Sequence, residues 1–230
     1  MNKRKKVIFT CAAAGAAVAA VYTLLAPKVL MNAALDREEP AIIKNTTALF
    51  SRTKHSDDAV KRVSDADRKL RERTMEKVEM ISHDKIPLTA HWDPCPDAKR
   101  VIIAMHGWRS TWSRDFGMIS GFWRENGCSV LYAEQRGQNA SGGDYIGFGV
   151  LERHDCLDWI HWVTDRCGDA VPIYLSGLSM GAATVLMAAE LDLPANVHGI
   201  MADCGYTSPE KIWKHVSTDN LHLPYAVCRP

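Results

Sequence analysis

The chain has 230 residues, an apolar content of 47% and a net charge of +1. This length fits one globular domain with an extension, and the near-neutral charge, without a basic patch rich in aromatic residues, does not favour nucleic-acid binding. The seven cysteines are scattered and form no C-x-x-C pair, which argues against a disulfide framework or a zinc site. Cys128 and Cys204 lie in apolar runs and are predicted to be core residues.

An uncharged run at residues 7–26 follows a basic cluster at residues 1–6. The run is long enough to cross a bilayer as a helix, and its basic flank would stay in the cytoplasm. We therefore predict that residues 1–26 anchor the protein in the cell membrane as a single pass, with the rest of the chain outside. A cleaved signal peptide and a secreted protein are the alternative, although Pro27 disfavours cleavage directly after Ala26.

Residues 27–75 are predicted to form a linker and a covering helix. The segment at residues 60–76 has helix-forming residues with sparse apolar positions, as in an amphipathic helix that covers a domain. Its many charges are typical of a solvated face rather than of a binding site.

From residue 76 onwards the pattern predicts an α/β domain that extends to residue 230. Two alternating segments predict a β-hairpin, at residues 78–82 and 86–92. Four apolar runs predict strands, at residues 100–105, 128–133, 173–176 and 196–202. The runs at residues 100–105 and 173–176 are typical of buried strands. Helical segments follow these strands, at residues 115–126, 151–166, 182–191 and 209–216. This alternation implies a mostly parallel sheet with helices on both faces and a ligand site at the carboxyl ends of the strands.

Residues Gly177 to Gly181, GLSMG, match the pattern G-x-S-x-G. A predicted strand precedes them and a predicted helix follows, which is the context that a nucleophile elbow requires. Ser179 would then project from a sharp turn with the positive end of the helix behind it. The alternative is a glycine-rich turn whose serine merely caps the helix.

Two further motifs accompany the elbow, His106-Gly107-Trp108 and Arg136 to Gly143, RGQNASGG. With them the chain, from about Glu76 to its end, strongly resembles the α/β-hydrolase superfamily. Within it, the chain is most similar to the bacterial membrane-anchored or exported hydrolases of the serine-aminopeptidase-like (S33) group. The second motif resembles the family's R-G-x-G-x-S-x-G loop, with Asn139 where glycine is usual.

The resemblance implies a role for several residues. Ser179 would attack an acyl carbonyl, and the backbone N–H groups of Met180 and Trp108 would form the oxyanion hole. His106 would shape the oxyanion loop, Arg136 would hold the loop after its strand, and no metal or organic cofactor is needed. Four aromatic residues are candidates for an acyl pocket, or equally for helix-packing core: Trp108, Trp112, Phe116 and Tyr145.

The chain departs from the superfamily pattern near its end. The superfamily places its acid after the seventh strand and its histidine after the eighth, whereas only six strands are predicted here. We therefore expect a chain truncated at its carboxyl end, without the triad acid and histidine and with an exposed sixth strand. Asp203 is a substitute candidate for the acid, and His215 or His222 for the histidine, although Asp203 is more simply a structural residue of its turn.

The leading functional hypothesis is a serine hydrolase that cleaves an ester, thioester or peptide-like acyl bond through a Ser179 acyl-enzyme. One alternative is an aminopeptidase-type peptidase on the same fold. The other is a truncated, catalytically inactive fragment or binding domain. The expected partners are a small acyl substrate and the membrane, and the sequence does not predict an oligomeric state.

Overall fold

The computed structural model describes residues 28–29, 31–38, 57–220 and 224–228. The predicted membrane anchor at residues 1–26 lies outside these residues, as does His222. In the part of the chain that is described, no helix is both long and apolar enough to cross a membrane.

The described residues form a mixed α/β structure, which confirms the predicted fold class. The strands are β1 (Glu76–Ile81), β2 (Pro87–Asp93), β3 (Arg100–Met105), β4 (Cys128–Ala133), β5 (Ile173–Leu178) and β6 (Val197–Asp203). The helices are α1 (Asp57–Arg71), α2 (Trp112–Glu125), α3 (Glu152–Cys167), α4 (Met180–Ala188), α5 (Pro209–His215) and α6 (Tyr225–Cys228), with a π-helical turn at Val216–Asn220. Helix α1 begins a few residues before the predicted covering helix.

The six strands form one sheet in the order β1-β2-β4-β3-β5-β6. The pairs β1–β2 and β2–β4 are antiparallel, and the strands from β4 to β6 run parallel. In the centre, Ile103 lies opposite both Leu131 and Leu175, and all three are buried because helices cover both faces. The parallel strands end at one edge of the sheet, where the predicted motifs follow them.

Local sequence signals explain where two helices begin. Thr111 precedes α2, and its hydroxyl accepts a hydrogen bond from the Arg114 N–H. Ser208 caps α5 in the same way through the Lys211 N–H, and Pro209 takes the first helical position. The predicted start of α5 at this proline agrees with the structure.

Helices α1 and α2 cover one face of the sheet. They cross closely, because a Cβ atom on Gly117 would lie only 2.7 Å from the backbone of Ala66. Trp112 stacks on His91 with ring centroids 4.2 Å apart, and Phe116 lies against Tyr132. Both residues therefore belong to the helix-packing core, which was one of the two alternatives for them, and not to an acyl pocket.

Strand β6 pairs only with β5 among the described residues. Its outer side is open, and Met201 is 41% exposed. Cys204 directly follows this strand and is exposed, so its prediction as a core residue is wrong. An apolar run buries its residues only where both faces are covered. The other cysteine prediction is confirmed, because Cys128 in β4 is 5% exposed.

Residues 31–38, which the sequence places in a linker, pack against the domain instead. We call them the N-terminal strap. Trp108 Nε1 donates a hydrogen bond to the Ala34 carbonyl at 2.9 Å. The Arg37 guanidinium donates to three carbonyls of the glycine-rich loop, those of Asn139, Ser141 and Gly143. The strap therefore holds together the two loops that the sequence assigns to the site.

Candidate active site

Ser179 lies at the junction of β5 and α4, with φ +54° and ψ −113°. A non-glycine residue with a positive φ of this kind costs about 1–3 kcal/mol, which the surroundings must supply. The Ser179 N–H donates to the Asp203 carbonyl at 2.8 Å, and the Ser179 carbonyl accepts from the Ala183 N–H at 3.1 Å. The side chain makes no capping hydrogen bond, so the alternative of a helix-capping serine is wrong.

The two glycines of the elbow are required by close contacts. A Cβ atom on Gly181 would lie 1.8 Å from the Met105 carbonyl oxygen, and one on Gly177 would lie 2.2 Å from the Gly181 oxygen. Any side chain at either position would force β3, β5 and α4 apart. The G-x-S-x-G spacing therefore follows from the close packing of helix on strand.

The loop after β3 lies beside the nucleophile. A Cβ atom on Gly107 would lie 3.5 Å from Ser179 Cβ. Asp115 holds this loop with both carboxylate oxygens, since Oδ2 accepts from the Gly107 N–H at 2.7 Å and Oδ1 accepts from the Ser110 hydroxyl at 2.6 Å. Among the described residues the Trp108 N–H has no hydrogen-bond partner, and Met180 opens α4. The oxyanion hole formed by these two N–H groups stays a prediction from sequence.

His106 is fully buried behind this loop. Its Nδ1 lies 2.7 Å from the Gly107 carbonyl oxygen, and its Nε2 accepts from the Gln135 N–H at 3.2 Å. This pattern assigns the proton to Nδ1, and burial lowers the pKa of His106 below its ordinary value. A neutral histidine whose two ring nitrogens both hydrogen-bond to backbone groups fits the predicted structural role. It does not fit the role of a base for Ser179.

Asn139 explains how the chain departs from the family's glycine-rich loop without losing its shape. It has φ +50°, in the left-handed region that glycine adopts freely and asparagine tolerates better than most residues. Its Nδ2 donates to the Ser110 carbonyl at 3.0 Å. The substitution keeps the turn and adds a hydrogen bond to the oxyanion loop.

Arg136 is buried and holds the glycine-rich loop to the rest of the domain. It donates to Asp155 through Nε at 2.6 Å and to Asp84 through Nη1 at 2.7 Å. The hydrogen bonds from Arg136 hold the pKa of Asp84 well below its usual range. His83, Asp84 and Asp155 have ligand atoms within 4.8 Å of one another, but both carboxylates already pair with the guanidinium of Arg136. The geometry fits a loop anchor.

The side chains of Asp203 and His215 form no hydrogen bond with Ser179, and His222 lies outside the described residues. The Asp203 side chain is exposed, and its contribution to the elbow is its backbone carbonyl. His215 Nδ1 instead lies 2.7 Å from Asp219 Oδ2, with both side chains about 60% exposed. Within residues 57–220, no histidine or carboxylate hydrogen-bonds to Ser179 Oγ. Asp203 and His222 therefore stay predictions from sequence.

A cluster of aromatic side chains stands beside the elbow, and sequence reasoning found only one member of it. The Phe148 ring centroid lies 6.4 Å from that of Trp108, 6.3 Å from that of Tyr206 and 5.5 Å from that of Trp213. We call these four residues the aromatic cluster. Tyr145, which was predicted to line the pocket, is 60% exposed and is not part of it.

The sequence contains one signal that could have indicated the aromatic cluster. This signal is the glycine next to three of its four residues. Trp108, Phe148 and Tyr206 each adjoin a glycine that packs on the elbow or on α4. A Cβ atom on Gly149 would lie 3.2 Å from the Thr184 nitrogen, and one on Gly205 would lie 3.1 Å from Ala182 Cβ. Such close approach of backbone sets these aromatic residues next to the elbow or to α4 in the fold.

The sheet order, the elbow and the oxyanion loop together define an α/β hydrolase. The family model of the X-Pro dipeptidyl-peptidases (S15 family) matches residues 36–217, and the chain belongs to this family. The matched region begins within the N-terminal strap and ends after α5, so it includes every motif described above. The narrower resemblance to the S33 group stays a prediction.

Solved structures with the same fold include esterases. Esterase Pf2001 of Pyrococcus furiosus is 23% identical, with a TM-score of 0.57 over 67% of this chain and 59% of the esterase. Est1E of Butyrivibrio proteoclasticus, solved with ferulic acid bound, is 19% identical, with a TM-score of 0.51 over 60% of this chain and 56% of Est1E. The chain thus spans less than two thirds of the length of either esterase. No curated protein matches the sequence significantly.

Proposed function

We propose that this protein is a serine hydrolase that cleaves an ester, thioester or peptide-like acyl bond through an acyl-enzyme on Ser179. The observation that carries the proposal is the strained backbone of Ser179, with the Gly107 loop packed against its Cβ atom. A turn that only joins a strand to a helix needs neither the positive φ nor a neighbouring loop held by a carboxylate. Both features suit an exposed nucleophile beside prearranged donors.

In the proposed reaction, Ser179 Oγ attacks the acyl carbon and the carbonyl oxygen gains negative charge. The N–H groups of Met180 and Trp108 stabilise this charge, and each such donor typically contributes about a hundred- to a thousandfold in rate. Asp115 acts indirectly, because it fixes the loop that carries the Trp108 N–H. The acid and base stay candidates from sequence, with His222 outside the described residues.

The aromatic cluster favours a substrate with a flat apolar part beside the acyl group. Rings at this spacing present an apolar wall with defined geometry. The S15 family description points to a peptide bond after proline, whereas the named esterases point to an ester. An aminopeptidase-type peptidase therefore remains the alternative, and a panel with p-nitrophenyl esters and an alanyl-prolyl anilide separates the two by relative kcat/KM.

Labelling with a fluorophosphonate probe tests the nucleophile on the full-length chain. We expect one adduct, on Ser179, which the Ser179→Ala variant loses without loss of stability. Ser208→Ala is the matched control, since Ser208 also precedes a helix but does cap it. This control should lose about 1 kcal/mol of stability and keep its adduct.

A folded protein that gives no adduct would refute the proposed hydrolase. It would favour the second candidate, a catalytically inactive hydrolase-fold protein that binds a ligand. The observation behind this candidate is that no described histidine reaches Ser179 Oγ. Circular dichroism on the same sample would show whether the protein is folded.

We also propose that residues 7–26 anchor the protein in the cell membrane with the domain outside, as the basic flank predicts. The strap begins a few residues after Ala26, and Ala34 contacts Trp108. Residues 28–29 and 31–35 are helical, so this segment reaches less than the roughly 26 Å of a fully extended chain. An anchored protein would therefore hold its site near the membrane surface. Resistance of the protein to extraction by alkaline carbonate supports the anchor. A mature amino terminus beyond Val21 supports secretion instead.

A further inference from the structure

Cys95 and Cys128 are far apart in sequence but neighbours in the sheet. In the antiparallel pair of β2 and β4, Ala90 lies opposite Ala133 and Asp93 lies opposite Val130. Strand β2 ends at Asp93, and an extension of its register by two residues would set Cys95 opposite Cys128. The Cys95 N–H also donates to the Ser129 hydroxyl at 3.0 Å. The segment after β2 therefore stays next to β4 beyond the end of β2.

The two thiols also lie on the same face of the sheet. Cys95 Sγ is 3.6 Å from the Arg124 carbonyl oxygen, and Cys128 Sγ is 3.9 Å from the Asn126 carbonyl oxygen. Both carbonyls belong to the end of α2. The sulfur atoms of Cys95 and Cys128 thus both lie near the last turn of α2, although they come from two different segments of the sheet.

We propose that Cys95 and Cys128 are a disulfide-forming pair that links β2 to β4 in an oxidising environment. Opposed residues of antiparallel strands have Cα atoms about 4.5–5.5 Å apart, within the range of about 4.4–6.8 Å that disulfides span. Both cysteines are free in the structure. The pairing itself is independent of the hydrolase function, and the proposed location outside the membrane only decides whether the bond forms in the cell.

The exposure of the two residues sets the order of the reaction. Cys95 is half-buried and Cys128 is buried, and burial raises the pKa of the Cys128 thiol. The Cys95 thiolate attacks an external disulfide such as oxidised glutathione, forming a mixed disulfide and releasing one glutathione thiolate. The Cys128 thiolate then displaces the second glutathione. Two thiols lose two electrons and two protons, and one external disulfide becomes two thiols.

Peptide mapping tests the pair directly. The full-length chain, in mild detergent at pH 8.5, is incubated with oxidised glutathione, alkylated and digested with trypsin. Trypsin releases residues 86–99 and 125–136, which contain Cys95 and Cys128 respectively. We expect these two peptides as one cross-linked species that disappears on reduction. Glutathione retained on Cys95 while Cys128 remains alkylatable would overturn the proposal.

Matched variants and a second measurement support the mapping. Cys204→Ala removes an exposed thiol and should leave the cross-link intact, whereas Cys95→Ala should abolish it. Oxidation should raise Tm by roughly 5–10 °C in the unsubstituted chain, because the bond closes a long loop. Cys95→Ala should show no such rise. A similar rise in Cys95→Ala would assign the effect to another cysteine and contradict the proposed pair.

Discussion

The two sides of the candidate site are held in different ways. On the oxyanion side, His106 fixes the backbone through a buried hydrogen bond, Asp115 through a part-buried one and Asn139 through an exposed one. On the side that follows β6, the Asp203 side chain is exposed and His215 pairs with its own helical neighbour. Ser179 and the loop beside it are therefore held in a fixed geometry. The side chains of Asp203 and His215 are not held against Ser179.

This difference indicates which side of the site contributes more to the stability of the described part of the protein. A buried polar group must be fully satisfied, since an unmade hydrogen bond costs about 1–3 kcal/mol. The oxyanion side contains several such groups, so substitutions there should lower the free energy of unfolding strongly. The exposed side has water as an alternative partner, so substitutions there should be nearly neutral.

The largest effect is expected at the elbow itself. Gly181→Ala places a Cβ atom 1.8 Å from the Met105 oxygen, and relief of this clash must separate α4 from β3. We expect a loss of more than about 4 kcal/mol in the free energy of unfolding, within the range reserved for disrupted cores. Urea denaturation followed by circular dichroism measures it.

Gly121→Ala is the matched control for the elbow variant. Gly121 lies in helix α2, and nothing lies within 4 Å of a Cβ atom placed there. This variant should gain about 0.5–1 kcal/mol, because alanine is the better helix former. Equal effects of the two substitutions would contradict the steric origin of the elbow.

The elbow and the central strands were predictable from sequence because their signals are local. Four apolar runs marked the parallel strands, and two glycines around Ser179 marked the turn. The aromatic cluster and the strap depend instead on contacts between distant segments, such as Trp108 with Ala34. Cys204 was mispredicted for a related reason. Its apolar surroundings did not reveal that one side of β6 is uncovered.

The next effect concerns the anchor of the glycine-rich loop. Asp155→Asn removes a buried charge beside the Arg136 guanidinium, and such losses cost about 3–5 kcal/mol. The Asp84 side chain is 38% exposed, so Asp84→Asn should cost less, about 1 kcal/mol. Urea midpoints at unchanged m-value compare the two. Equal losses of stability in the two variants would show that the burial of the carboxylate does not determine how much its ion pair with Arg136 stabilises the protein.

Acid should lower the stability of the folded protein, because His106 on the oxyanion side is buried in its neutral form. Burial lowers the pKa of His106 in the folded state, whereas the unfolded chain titrates near its ordinary value of about 6.5. Above pH 6.5 both states are neutral and stability is complete. Below it the unfolded state binds a proton that the folded state excludes, so stability falls by up to about 1.4 kcal/mol per pH unit.

The His106→Gln variant isolates this contribution. Its stability should fall less steeply than that of the parent chain between pH 6.5 and pH 5, whatever its absolute stability. His154, whose pKa is also lowered by burial and nearby positive charge, retains its own contribution in both proteins. An unchanged slope in His106→Gln would mean that the buried imidazole does not titrate as its surroundings imply.

The smallest effect is expected where Asp203 and His215 are replaced together. Both side chains are exposed, and neither hydrogen-bonds to Ser179 Oγ. The Asp203→Asn/His215→Gln variant should change the free energy of unfolding by less than about 0.5 kcal/mol. Its rate of fluorophosphonate labelling should stay within about twofold of the parent, because the carbonyl of residue 203 still accepts the Ser179 N–H. Loss of labelling at unchanged stability would instead identify a working acid or base on this side, and the contrast between the two sides would fail.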